Sequence, residues 1–365
     1  MAADEIYSHN GLRGLAAGSV CIAHFIQFQK LTLSFEAALS VFLWQDYAVD
    51  LFFILSGFIM NWVYDVNSTK IEWRAYFIAR IARIAPLYYL TTLSLAFIPI
   101  VSILRYGFKY VNNHYILKLI TNIIMFSGLI NGWHESQTSQ INTPAWSVCI
   151  EMFLYIFIFP FLLLAKQIIK KQSAYLNLLY SLILTQAIIF LYSNPSLFEL
   201  TISSYKIDLI FLLRGIFGFS LGFILCEIFV LIEDYKDQKN ITIYSYVILA
   251  SFAFLVLSRI NFFPEYYIIY TFPVIVCLSA FDKGNVFKIL NYNIFQWLGS
   301  RSYSIYLWHI PIFVFLANAI FPRFKFHTLM QLLIEIAITI AVVMIVSDLS
   351  YKYFETPCRR FIRKL

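Results

Sequence analysis

Apolar positions along this chain fall in long blocks rather than alternating. Windows of about 20 apolar residues, the length that crosses a bilayer as a helix, recur from end to end. Ten windows read as helices, near 11–29, 48–66, 84–104, 146–165, 174–193, 207–232, 241–258, 264–281, 302–320 and 328–350. A shorter segment, YILKLITNIIMFSGLI at 115–130, follows a polar stretch and reads as a re-entrant or interfacial helix. The pattern predicts an all-α polytopic membrane bundle of about ten transmembrane helices. Residues 1–365 are expected to form one integral membrane domain with no soluble domain appended. The opening MAADEIYSHN is acidic and lacks the basic leader of a cleavable signal, so the first helix is expected to remain as an anchor.

Composition sharpens this picture. Of 365 residues, 61% are hydrophobic and only 13% charged, against roughly half and a quarter in soluble domains. The formal net charge of +7 includes no block of five or six basic residues, so nucleic acid is not an expected partner. With the N-terminus inside, seventeen Lys and Arg fall in cytoplasmic loops and tail and eight on the opposite side. That bias predicts both termini in the cytoplasm. The five cysteines are scattered without a CxxC pair. They read as small apolar residues rather than disulfides or metal ligands.

Candidate chemistry lies in the polar residues within these spans, because an ionisable group at mid-bilayer costs about 3 kcal/mol or more. Arg13 and His24 stand eleven residues apart in NGLRGLAAGSVCIAHF. On a helix that separation is about 1100° of turn, close to three full turns, and roughly 16 Å of rise. The two therefore share a face, Arg13 near the cytoplasmic surface and His24 in the outer half. Asp50 stands at the outer end of the second span, with Ser56 and Gly57 deeper and Gly57 on the Asp50 face. Ser147 and Glu151 are i, i+4 neighbours in the outer third of the fourth. His24, Asp50, Ser147 and Glu151 are thus expected to converge at one depth.

At the inner level, Arg80 and Arg83 sit at i, i+3 just before a span that has Pro86 in its first turn. Two guanidinium forks on one face suit phosphate oxygens, and Arg13 and Arg301 share that side. Ser302, Tyr306 and His309 follow i, i+4, i+7 on one face, and Arg214 lies well inside the sixth span. Plainer readings stand beside these. Taken alone, Arg80 and Arg83 are positive-inside residues, Arg13 can snorkel, and a lone membrane His can be a hydrogen-bonded bundle residue. Tyr303, Trp308 and the Phe pairs read as packing or belt residues. Glu151 is harder to dismiss, since a buried carboxylate without a partner is costly.

Five blocks in order, NGLRGLAAGSVCIAH, VDLFFILSGF, ARIARIAPLYY, PAWSVCIEMFLY and SYSIYLWHIP, with the ending FETPCRRF, give the chain its likeness. It resembles the acyltransferase-3 family of membrane-bound O-acyltransferases. The resemblance implies a bundle of roughly ten helices in the bacterial inner membrane. It also implies transfer of an acyl group, usually acetyl, from cytoplasmic acyl-coenzyme A to surface glycans, lipid-linked sugars or small secreted products. By position, Arg13 and His24 match the paired first-span motif, and Arg80 and Arg83 the loop motif near the donor. Phe52, Phe53, Ser56 and Gly57 match the second-span block, and Glu151 the acidic residue of the fourth.

These residues predict a mechanism. Arg80 and Arg83, helped by Arg13, hold the phosphates of the donor (acetyl-CoA), and its pantetheine arm runs up the first span to His24. His24 acts as general base on the acceptor hydroxyl, oriented by Glu151 or Asp50. Tyr306, Ser147 or Trp308 donates to the oxyanion, with Trp146, Arg214 and His309 in support. The acceptor is expected to be a carbohydrate or glycolipid bound near Asn112, Asn113, His114, Trp133 and His134. The competing class is a transporter or flippase, which would show inverted repeats and broken helices in matching halves; neither is evident.

Overall fold

In lipid every backbone N–H and C=O must be satisfied within the chain, which leaves helices as the spanning element of such a sequence. The computed structural model describes residues 5–28, 45–66, 71–95, 124, 142–168, 173–202, 205–233, 247, 250–251, 264–320 and 329–364. The helices are α1 (Tyr7–Phe28), α2 (Gln45–Asn61), α3 (Trp73–Ser94), α4 (Ala145–Phe153), α5 (Phe159–Ile168) and α6 (Ala174–Ser193). They continue as α7 (Leu209–Glu233), α8 (Thr271–Ser279), α9 (Asn285–Leu290), α10 (Asn293–Ala319), α11 (Leu329–Ser350) and α12 (Thr356–Ile362). Wider π-helical turns extend α2 (Trp62–Val66), join α4 to α5 (Leu154–Ile158) and join α11 to α12 (Tyr351–Glu355). A short antiparallel hairpin, which the apolar pattern did not foreshadow, pairs Glu199–Ile202 with Tyr205–Asp208.

The bundle is an all-α membrane architecture. Five stretches among the described residues are long and apolar enough to cross a bilayer: Tyr47–Tyr64, Ala145–Ile168, Ala174–Ser193, Leu209–Ile232 and Leu333–Ile362. Helices α1, α3 and α10 have 22, 22 and 27 residues, enough length to span. Their polar residues keep them out of that set, and they carry the arginines and histidines of the site below. Two expectations shift. The window at 264–281 becomes a 3₁₀ turn leading into α8, a shorter apolar piece over Glu265–Ser279. The third span starts at Trp73, so Arg80, Arg83 and Pro86 all lie inside α3 rather than at its threshold. Aromatic packing of Trp73, Tyr76 and Phe159 sustains that early turn, which hydropathy alone assigns to a loop. The segments at 115–130 and 241–258 and the proposed acceptor residues of 112–134 lie largely or wholly outside the described residues.

Without a hydrophobic force between helices in lipid, small residues set how closely they pack. A Cβ on Gly57 would sit 1.9 Å from the Phe219 carbonyl oxygen, and one on Gly222 1.9 Å from that of Ile54, so α2 and α7 touch backbone to backbone. Helices α1 and α10 do the same. A Cβ on Gly14 would lie 2.6 Å from the Gly299 nitrogen, and one on Gly299 2.1 Å from the Asn10 oxygen. The N-terminus of α1 is pinned by Asp282, whose Oδ1 accepts from the Ser8 nitrogen at 3.0 Å and from Asn291 Nδ2 at 3.0 Å.

One buried ion pair ties α2 to α7. Arg214 Nε and Nη2 donate to Asp50 Oδ1 and Oδ2 at 3.2 and 2.9 Å, and the Tyr192 hydroxyl of α6 adds a third bond at 2.5 Å. The Arg214 guanidinium also lies over the Tyr192 ring at 4.5 Å and the Trp146 ring at 5.6 Å. The Asp50 and Arg214 side chains are 0% and 5% exposed, so removing one partner strands a charge at a cost of about 3–5 kcal/mol.

Two stability tests follow, both read as the thermal midpoint in detergent. Gly57→Ala is expected to cost at least about 2 kcal/mol by overpacking. Gly18→Ala, at a position where a Cβ meets nothing within 4 Å, should be neutral or gain up to about 1 kcal/mol of helix propensity. Asp50→Ala should destabilise by the ion-pair amount, whereas Asp50→Leu/Arg214→Met should recover most of it.

Candidate functional site

A pocket opens between α1, α2, α3, α4 and α10. Its lining includes Arg13 from α1, Phe52, Phe53 and Ser56 from α2, and Arg83 from α3. Helix α4 adds Ser147 and Glu151, and α10 adds Ser302, Tyr303 and Tyr306. One wall is polar because i, i+4 spacing on α4 and i, i+4 spacing on α10 face each other. Ser147 Oγ and the Tyr306 hydroxyl stand 2.8 Å apart, and both reach the Pro144 carbonyl oxygen at 3.1 Å.

Deeper among the arginines, Glu151 Oε1 accepts from Ser56 Oγ at 3.0 Å and from the Tyr155 hydroxyl. Glu151 lies within electrostatic reach of both Arg13 and Arg83. Neither guanidinium makes a hydrogen bond to a described side chain. Two fork-shaped donors facing one carboxylate leave the pocket with spare positive charge and spare N–H groups. An anion, above all a phosphate, would satisfy both.

Just beyond the Tyr306 wall stand two histidines. His309 Nε2 and His24 Nδ1 are 3.2 Å apart, with ring centroids at 5.1 Å, and the Tyr306 and His309 centroids are 6.0 Å apart. His309 Nδ1 lies 3.2 Å from the Ile305 carbonyl oxygen one turn back. A carbonyl only accepts, so Nδ1 of His309 carries the proton and its Nε2, in the neutral ring, accepts. His24 Nδ1 must then be the donor. The outcome is a His24 ring whose Nδ1 proton is turned toward His309, which leaves its Nε2 as the nitrogen for base chemistry, the orientation a carboxylate enforces in a triad. Here a backbone carbonyl and a second imidazole do that orienting. Pro311, two residues on, has no N–H for the Leu307 carbonyl, and Asn142 Nδ2 fills the gap at 3.2 Å.

The expected convergence of His24, Asp50, Ser147 and Glu151 is therefore only partly realised. Ser147 and Glu151 share the pocket, and His24 lies past its Tyr306 end beside His309. Asp50 is turned away, consumed by Arg214 and Tyr192, because a fully buried carboxylate takes the nearest cation. Glu151 bonds Ser56 and Tyr155 and makes no bond to His24. Arg80 parts from Arg83. It donates to the Tyr64 hydroxyl at 3.0 Å and sits over the rings of Tyr64, Tyr155 and Tyr76 at 5.4–6.0 Å, an aromatic cage rather than the pocket wall. Arg301 is likewise engaged, bonding Asp348 at 2.9 Å and lying over Trp297 and Tyr351.

The supporting residues also divide. Phe52 and Phe53 wall the pocket, Phe52 against Tyr306 at 5.8 Å. Trp146 braces Arg214, and Gly57 sets the α2–α7 spacing. Two tyrosines at the site escaped the sequence reading. Tyr155, i+4 from Glu151, was detectable from that spacing. Tyr303 was assigned to packing, yet it lines the pocket and donates to the Ile84 carbonyl at 2.7 Å.

Comparison with known proteins adds the lineage. The chain is 24% identical over 382 aligned positions to YrhL of Bacillus subtilis, provisionally named a peptidoglycan O-acetyltransferase, covering 96% of this chain and 54% of that one. It is 24% identical to the peptidoglycan O-acetyltransferase OatA of Listeria monocytogenes, covering 97% of this chain and 56% of the relative. A Staphylococcus aureus protein provisionally named an O-acetyltransferase, SACOL0978, is 22% identical over 96% of this chain and 57% of its own. The chain thus spans little more than half the length of these relatives. No solved structure matches it. The profile of the acyltransferase domain matches residues 6–351, and the chain belongs to the acyltransferase-3 family.

Proposed function

We propose that this protein transfers an acyl group, acetyl in the first instance, from cytoplasmic acyl-coenzyme A to a hydroxyl of a cell-surface glycan. Peptidoglycan is the acceptor class named for its relatives. The reading places it in a bacterial inner membrane with both termini in the cytoplasm. The observation that carries it is the His24–His309 pair, its proton pattern set by the Ile305 carbonyl, at the far end of a pocket holding two uncommitted arginines. A carrier would use such a pair as a proton relay, so the donor-binding and transfer measurements below separate the two readings.

In this reading Arg13 and Arg83 hold the donor's phosphates. Arg13 and His24 lie roughly 16 Å apart along α1, a gap an extended pantetheine arm can bridge to bring the thioester to the histidines. His24 Nε2 removes the acceptor hydroxyl proton as that oxygen adds to the thioester carbonyl. Tyr306 shares a face of α10 with His309 and donates to the oxyanion. His24 then returns its proton to the departing sulfur as the C–S bond breaks, giving the ester and free coenzyme A. Glu151 balances the two arginines, and Asp50, Arg214, Arg80 and Gly57 hold the frame.

Two measurements test this. Purified wild type should bind acetyl-coenzyme A saturably, and Arg13→Ala/Arg83→Ala should weaken binding at least tenfold. No binding by folded wild type would return the carrier reading or require another donor. In a transfer assay, His24→Ala should lower kcat by about 10²–10⁴ with the protein still inserted. His309→Ala should lower kcat with KM little changed. His309→Gln, whose amide oxygen can still accept from His24 Nδ1, should recover part of that loss. Equal loss in both His309 variants would count against the positioning role.

A further inference from the structure

Resting on the donor reading above, we propose that Arg359 is a third phosphate-binding residue. It would read the phosphate farthest from the thioester, the 3′-phosphate on the ribose of coenzyme A. Arg359 belongs to α12, a short helix packed against α3, and was not among the residues the sequence singled out. A chain of hydrogen bonds connects it to the pocket. The Tyr303 hydroxyl donates to the carbonyl of Ile84, the neighbour of Arg83. The next residue, Ser304, donates through Oγ to Glu355 Oε2 at 2.6 Å. Arg359 Nη2 donates to the other oxygen of Glu355.

Glu355 is 2% exposed, so its carboxylate is a fixed anchor. Arg359 is 26% exposed at its side chain, and its Nε is buried without a hydrogen-bond partner. Arg359 also lies within electrostatic reach of Arg83 and Arg13. Arg13 and Arg83 thus face Glu151, and Arg359, bonded to Glu355, shares their electrostatic neighbourhood. Like charges held together in a low-dielectric setting repel strongly.

The order of the phosphates assigns the roles. From the thioester, the donor presents pantetheine, then the pyrophosphate, then the ribose 3′-phosphate. Arg13 and Arg83 line the pocket that leads to the histidines and match the pyrophosphate. Arg359, outside that lining and on the last described helix, matches the outer phosphomonoester, which a guanidinium can grip bidentately.

The test measures binding of acetyl-coenzyme A and of its 3′-dephospho form to wild type, Arg359→Lys and Glu355→Gln/Arg359→Gln. The double variant removes both charges, so Glu355 is not left unpaired. Wild type should prefer the phosphorylated form by about tenfold. The double variant should lose that preference while binding the dephospho form as wild type does, and Arg359→Lys should keep part of it. An unchanged preference in the double variant would overturn the role of Arg359 and leave the donor site standing. Equal binding of both forms by wild type would show that the 3′-phosphate is not read, again overturning it. If wild type binds neither form, the donor reading itself fails.

Discussion

Everything at the candidate site depends on how closely α1 approaches α10. Gly14 and Gly299 let the two backbones meet where any side chain would collide. The helices run in the same direction, and ten residues beyond each glycine stand His24 and His309. Equal rises of about 15 Å from one crossing point deliver the two imidazoles to the same level. The packing of Phe25 against Phe313, one and four residues farther on, keeps the register. The glycines thus act on the chemistry although neither touches it: they set a distance, and the Ile305 carbonyl sets which nitrogen carries the proton.

Buried charge divides into two kinds. Asp50–Arg214 is a fully buried matched pair that links α2 to α7, while Glu227–Lys166 and Asp348–Arg301 are partly exposed pairs between α7 and α5 and between α11 and α10. A buried pair such as Asp50–Arg214 contributes little net energy but is severe to break, so it fixes which helices are neighbours. Arg13 and Arg83 are not matched in this way. Among the described residues, the carboxylate that faces both, Glu151, is already bonded by Ser56 and Tyr155. In a membrane bundle a cation held without a dedicated partner is costly, and the expense makes sense where a multiply charged anion completes the site.

The apolar pattern was sufficient to read the class of fold and most helix positions, because a span is a local property of about 20 residues. It also found Arg13 on the face of His24, and Ser147 beside Glu151, since both follow from helical period alone. It misjudged pairings between helices. Asp50 and Arg214 are 164 residues apart, as His24 and His309 are 285, and no periodicity connects them. Depth along a helix was legible, but rotation relative to a neighbour was not. That is why Asp50 was set beside His24 when it faces α7, and why Arg80 was grouped with Arg83. The start of α3 was missed for a related reason: its first turns are carried by tertiary aromatic contacts, which hydropathy does not weigh.

The three π turns lie beside the buried charges. An inserted residue widens the helix and rotates everything after it, so side chains land off the face that spacing implies. Each of the three π turns brings a group to an arginine or its partner. Trp62–Val66 carries Tyr64 to Arg80, Leu154–Ile158 carries Tyr155 to Glu151, and Tyr351–Glu355 carries Glu355 to Arg359. The middle one also presents the Tyr155 carbonyl to the Tyr76 hydroxyl at 2.7 Å, anchoring α3 while the ring of the same tyrosine turns toward Arg80. One departure from regular helix thus satisfies a carboxylate, a cation and a neighbouring helix together.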